Sequence, residues 1–193
     1  CALPISYHVR AYAVNSEGVS YGEDGTFTTR VLQSIDFPMP PDATYGDTDF
    51  AVGATATSGL PVGYASSEPG VATVEDGMVR IHGAGTTVLT ATQPGNETYA
   101  AAVPVERTLV VSPKELVVTA DSLSKILGQD DPDLTVHYNG FAEGDDDSLV
   151  TGLVLGREPG EEPGVYGIVP SGVAASNYSL IFVGGTLTIR DLY

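Results

Sequence analysis

The feature that most constrains this chain is a two-residue alternation of apolar and polar side chains, cut into short runs by Gly, Pro, Asp and Asn. Tyr7-His8-Val9-Arg10-Ala11-Tyr12-Ala13-Val14 sets the pattern, with Tyr7, Val9, Ala11 and Ala13 on one face of a strand. No segment sustains a 3.6-residue apolar period, so extended helices are excluded. Short strands with turn signals between them build sandwiches. The expected fold class is therefore all-β, as tandem small β domains: an Ig-like sandwich followed by a second mostly-β module.

Further strands are expected at Gly25–Thr29, Ala51–Ala56, Val62–Ser66, Ala72–Glu75, Met78–His82, Thr86–Thr92 and Glu106–Val111. After Ser112-Pro113 they continue at Glu115–Thr119, Leu134–Tyr138, Leu153–Leu155, Val165–Val169, Tyr178–Val183 and Thr186–Arg190. Asp76-Gly77 and Gly184-Gly185 are read as tight hairpin turns. Gly144–Leu149 could form one helical turn, capped by Asp145. Two strands cannot bury a core alone, so residues 6–30 are expected to be the end of a truncated domain. The remaining divisions are 31–113, 114–190 and the start of a linker at 191–193. A single proline at the second junction implies a tight joint.

Composition narrows the function. Of 193 residues, 25 are Asp or Glu and 8 are Lys or Arg, a net charge of −17. The excess is spread along the chain, and phosphate-rich partners such as nucleic acid or anionic lipid would be repelled. No apolar run approaches the roughly 18 residues a membrane span needs. The single cysteine, Cys1, falls in Cys1-Ala2-Leu3-Pro4-Ile5, which resembles the translation of a sequencing adapter. Residues 1–5 are expected to be foreign on that ground, leaving a protein without disulfides, thiolate metal sites or cysteine nucleophiles.

Catalytic constellations are missing from the sequence pattern. His8, His82 and His137 lie in separate strand segments, and no Gly-x-Ser-x-Gly elbow or phosphate loop occurs. The acids cluster in turns, where solvation keeps both members of a carboxylate pair ionised, the opposite of what a glycosidase acid requires. Calcium is the alternative chemistry, because Asp-rich turns supply convergent hard oxygens. Asp130, Asp131 and Asp133, near a module junction, are the chosen candidates, ahead of Asp47/Asp49 and Asp145–Asp147. No other cofactor is expected. Sugar stacking would call on exposed tyrosines; Tyr7, Tyr12, Tyr166 and Tyr178 read as packing residues, and Tyr45 and Tyr99 as turn-adjacent.

Three stretches resemble known modules. Tyr7–Ala13, Asn15–Gly18, Tyr21-Gly22 and Phe27–Thr29 look like the last two strands of a bacterial fibronectin type III domain. The run of Gly59–Val62, Ser66–Pro69, Val71–Val74, Gly83–Thr86, Leu89–Ala91 and Gly95–Ala101 is similar to bacterial Ig-like domains of group 2. Leu116–Ala120, Ser124-Lys125, Gly128–Leu134, Gly152, Arg157–Glu161, Gly164–Tyr166 and Asn177-Tyr178 resemble an MBG domain of the YGX type, with Leu127 where that family has a tyrosine. The resemblances imply non-catalytic stalk or adhesive repeats of a large secreted or cell-surface bacterial protein. The implied partners are neighbouring β modules of the same polypeptide and an extracellular glycan or surface protein. The alternatives are a binding face in its own right, or accessory modules of a polysaccharide-degrading enzyme.

Overall fold

A computed structural model describes residues 4–191 and is all-β, with one 3₁₀ turn as its only helical element among the described residues. The adapter reading at residues 1–3 and the linker reading at 192–193 lie outside the described residues.

The chain opens with an antiparallel ribbon, β1 (Ser6–Asn15) and β2 (Gly18–Thr28), in which every residue is exposed. Its turn is held by Asn15 Oδ1, which accepts from the Glu17 and Gly18 amides at 2.9 and 3.1 Å. Tyr7 stacks on Phe27 (centroids 5.0 Å) across the ladder. A register shift between Arg10 and Tyr12 breaks the pairing once. Tyr7 and Tyr12, expected to be core or edge packing residues, are 44% and 70% exposed, because among the described residues no second layer covers either face of the ribbon.

From Val31 onward the chain packs. Strands β3 (Ile35–Asp36), β4 (Ala43–Thr44), β5 (Phe50–Ala51), β6 (Thr55–Ala56), β7 (Gly63–Ser66), β8 (Ala72–Glu75), β9 (Met78–Ile81), β10 (Gly85–Thr92) and β11 (Val105–Ser112) form three sheets. Their orders are β3-β6, β4-β11-β10-β7 and β5-β9-β8. The expected strand Ala51–Ala56 is split into β5 and β6, which pair with different partners. Alternate residues of β10 and β11 enclose a core of Leu89, Ala91, Leu109 and Val111 with Phe37, Ala72 and Val79 from the facing elements. Asp76-Gly77 is the expected turn: φ is 51° and 76° at its two residues, the geometry of a primed hairpin turn. The buried Thr87 hydroxyl accepts from the Glu68 amide (3.0 Å) and bonds the Ser66 hydroxyl (2.7 Å), pinning the Ser66–Pro69 bend.

The second half comprises β12 (Lys114–Ala120), β13 (Leu123–Ile126), β14 (Val136–Asn139), β15 (Val154–Arg157), β16 (Gly164–Ser171), β17 (Tyr178–Val183) and β18 (Gly185–Arg190). Two sheets, β14-β12-β17 and β13-β18-β16-β15, share a separate core of Ala120, Ile168 and Leu187. Gly184-Gly185 is not the expected hairpin. Strand β17 lies parallel to β12 while β18 joins the other sheet, so the two glycines carry the chain between layers. A Cβ on Gly185 would stand 2.5 Å from the Ala120 carbonyl oxygen, so close approach rather than turn type demands glycine there. The helical turn is a 3₁₀ turn at Asp147–Leu149 capped by Asp146, whose carboxylate accepts from the Ser148 amide at 2.9 Å; the expected cap, Asp145, is one residue early and engaged elsewhere.

Because the two cores share no residue, truncating one should not disturb the other. Leu89→Ala and Leu187→Ala, both at fully buried sites, are each expected to cost about 2–5 kcal/mol. Thermal unfolding followed by fluorescence, with one tryptophan introduced per half as reporter, is expected to show each variant lowering a different unfolding step; one step moved equally by both would mean a single cooperative unit.

Candidate functional site

The acids picked out by sequence do not converge. Asp130 and Asp133 are exposed, while Asp131 turns to two cations: its Oδ1 lies 2.7 Å from Lys125 Nζ and its Oδ2 2.5 Å from Arg157 Nε. Glu161 completes the cluster, 2.5 Å from Lys125 Nζ and paired with Arg157. A divalent ion at Asp131 would have to displace both cations. Asp47 folds back onto the Thr44 amide (2.8 Å), Asp49 lies 3.8 Å from Arg80, and Asp146 caps the 3₁₀ turn. Among the described residues no three His, Cys, Asp or Glu side chains stand close enough to hold a metal ion. The histidines stay apart: His8 bonds Asp24 (3.0 Å), His82 bonds Thr73 (2.9 Å) and His137 bonds Asp121 (2.8 Å).

Lys125 entered the sequence reading only as part of the Ser124-Lys125 resemblance motif, because it points inward from β13, a strand the alternation rule does not find. Its stem is buried and only its ammonium is satisfied, by carboxylates at the surface. Hydrogen bonds to Asp131 and then Glu161 raise the Lys125 pKa, and the same two acids raise that of Arg157. Reciprocally, the bond to Arg157, then that to Lys125, lowers Asp131, and Lys125 followed by Arg157 lowers Glu161.

A second polar cluster lies where the two halves meet. Strand β11 ends at Ser112 and β12 begins at Lys114, so Pro113 alone separates them. Strand β4 lies parallel to the end of β11, and the Tyr45 amide donates to the Ser112 carbonyl (2.9 Å), which aims Tyr45 at the second half. There the Tyr45 hydroxyl donates to Asp145 Oδ2 (2.9 Å). Tyr178, at the start of β17, donates to the same oxygen and accepts from the Ala142 amide (2.9 Å). The two rings meet edge to face at 5.5 Å, and Phe141 meets Tyr178 likewise at 5.7 Å.

A second bridge runs through Asn177. Its Oδ1 accepts from the Ala84 amide (3.0 Å) in the first half, while its carbonyl accepts from the Lys114 amide (3.0 Å) in the second. Gly46, at φ +84°, closes the contact: a Cβ there would stand 2.8 Å from Ala142 Cβ. Burial, then the bond to Asp145, pushes the Tyr178 pKa up to about 12, and the same causes raise Tyr45. Sequence reasoning found the tight joint through Pro113 but not its contents, because Tyr45, Asp145 and Tyr178 are far apart in the chain. The motif pair Asn177-Tyr178 was the one visible signal.

Two pH effects follow. Asp131 and Glu161 have folded pKa values below their ordinary 3.8 and 4.5, so their contribution is complete above about pH 5 and lost as pH falls through the folded values. Tyr178 has its folded pKa raised above 10.0, so its contribution is complete below pH 10 and lost as pH rises toward about 12. Urea midpoints measured from pH 2 to 12 are expected to fall at both edges. Lys125→Met should flatten the acid edge and Tyr178→Phe the alkaline one; an unchanged profile in either variant would discard that assignment.

The joint also predicts an order of stabilities. Tyr178→Phe leaves the Ala142 amide without its acceptor and removes a bond to Asp145, a loss of about 1–3 kcal/mol. Tyr45→Phe removes one half-buried bond, about 0.5–1.5 kcal/mol. Denaturant unfolding that gave the reverse order would mean Asp145 is anchored chiefly by Tyr45.

Comparison with known proteins adds identity to these two stretches. Residues 116–188 match the MBG domain (YGX type), and residues 51–94 match the intimin immunoglobulin-like domain. A search of curated protein sequences finds no match. Among solved structures, Drosophila N-cadherin EC1-4 aligns at 14% identity and TM-score 0.30, covering 97% of this chain and 58% of that one. Drosophila N-cadherin EC1-3 aligns at 12% identity and TM-score 0.30, covering 98% and 78%. The chain thus spans a little over half the length of the first of these, and the low scores leave the comparison with them without weight. The domain types matched are non-catalytic modules: the chain carries an Ig-like stretch followed by an MBG-like stretch, both all-β.

Proposed function

We propose that this chain is a non-catalytic stalk segment of a secreted or cell-surface bacterial protein, in which consecutive β modules hold a fixed angle. The observation that supports it most is the joint. Strand β11 leads into β12 across one proline, and Tyr45, Asp145, Tyr178 and Asn177 bond the two halves from both sides of that proline. A spacer that displays something at a distance needs its modules held in line, and short, hydrogen-bonded joints supply that. Neighbouring modules of the same polypeptide are the partners this reading requires. The intimin-like and MBG-like stretches are of kinds found in extracellular proteins, which supports the location.

The finer assignments belong here too. The divisions at 31–113 and 114–190 are supported by the separateness of the two cores, and the group 2 character of the first unit rests on its sequence motifs. The ribbon of β1 and β2 is read as the closing hairpin of a fibronectin type III-like sandwich, supported by its apolar strip of Tyr7, Val9 and Phe27, each more than 40% exposed. A second reading, a glycan-binding face, is favoured by one observation: Tyr12 and Tyr21 form an exposed pair near the ribbon's tip, with the Arg10 guanidinium 4.2 Å from the Tyr21 ring.

Residual dipolar couplings on the full chain test the stalk reading. One alignment tensor is expected to fit residues 31–113 and 114–190 together, with the fit splitting in a Tyr45→Phe/Asn177→Ala double variant. Two independent tensors in the unaltered chain would rule out a rigid spacer.

A further inference from the structure

The edge strands of the second half are defended unequally. In one sheet β13 carries Lys125 and β15 carries Arg157, both drawn into the ion cluster. In the other, β14 carries His137, bonded to Asp121. Charged side chains on edge strands are the usual obstacle to pairing with another chain. Strand β17, the opposite edge of that sheet, has none: Tyr178-Ser179-Leu180-Ile181-Phe182-Val183 contains no charge, no proline and no bulge. It pairs in unbroken parallel register with β12, and its other side has no ladder partner among the described residues.

Beside that free edge runs a shallow groove of about 660 Å³, lined by Leu149, Thr151, Val173, Tyr178, Leu180 and Phe182 among others, with no charged residue. Leu149 and Phe182 are 47% and 41% exposed. The 3₁₀ turn that supplies Leu149 to the groove also carries Asp147, with Asp146 as its cap, so acidic residues adjoin the lining at that end in sequence. In a chain of net charge −17 that arrangement selects its occupant. A second copy would bring two acidic segments together.

We infer that β17 accepts an added strand: an extended peptide segment with alternating apolar side chains and flanking Lys or Arg, belonging to a partner protein. Its backbone amides and carbonyls continue the sheet beyond β17, alternate side chains lie in the groove, and its basic flank meets Asp146 and Asp147. The site is independent of the stalk reading, since it needs only the second half of the chain to be folded.

The test uses the full chain and fluorescence anisotropy with a labelled probe, Lys-Lys-Thr-Val-Thr-Val-Thr-Val-Lys-Lys. Saturable binding that weakens with salt is expected. Two altered probes should lose at least about tenfold in affinity: one N-methylated at every Thr and Val, which leaves no free amide on either edge of its Thr-Val core, and one with Glu in place of every Lys. Phe182→Glu, which adds a charge to the groove floor, should cost a similar factor. Equal binding of the N-methylated probe would reduce the interaction to non-specific charge attraction and overturn strand addition, as would no saturation by millimolar probe. Sedimentation showing a dimer of the unaltered chain that Phe182→Glu dissolves would give the edge to a second copy and overturn the heterologous partner. The probe comparison needs no variant, so it stands even where Phe182→Glu does not fold.

Discussion

The structure depends on one continuity: the strand that closes the first sheet system becomes, after a single proline, the strand that opens the second. Strand β11 holds Leu109 and Val111 in the first core, and β12 holds Leu116, Val118 and Ala120 in the second half. With the path through Pro113 so short, loops on either side are forced together. Tyr45 follows a strand that pairs with the end of β11, and Tyr178 opens a strand that pairs with the start of β12. Each is fixed by its own sheet, and Asp145 between them receives both hydroxyls. The joint is thus a consequence of two strand pairings rather than of a linker sequence, and a longer connection would remove the reason for the rings to meet.

Legibility in the sequence followed alternation. Ala72–Glu75 and Tyr178–Val183 were readable to the residue, because apolar and β-branched runs are bounded there by turn formers. Strand β13 was not, since a buried lysine occupies the position where the rule wants an apolar residue. Gly184-Gly185 had the composition of a hairpin turn, yet the strands it joins part to different layers; local composition reports that a turn exists, not which sheet receives the next strand. Asp131 sits in an Asp-rich turn that suggests a hard cation, whereas the ligands it finds, Lys125 and Arg157, come from strands β13 and β15. Pairing across more than a few residues is not written in spacing, and this is also why the contents of the joint were hidden while its tightness was visible.

Of the 8 Lys and Arg in this acidic chain, three pair with carboxylates among the described residues. Lys125 and Arg157 share Asp131 and Glu161, and Arg80 lies 3.2 Å from Glu75 and 3.8 Å from Asp49. The Lys125 cluster has a buried stem beneath an exposed network, so its carboxylates are screened by water and its lysine is not. The surface keeps an excess of negative charge, against which an uncharged strip such as β17 stands out.

Strand β17 links the joint to that strip. Its first residue, Tyr178, belongs to both: the ring lines the groove while the hydroxyl holds Asp145 and the Ala142 amide. The first residue of an uncharged edge strand is therefore also the residue that ties that strand to the contact between the two halves, because β17 begins directly after Asn177, whose side chain reaches the Ala84 amide while its carbonyl accepts from the first amide of β12.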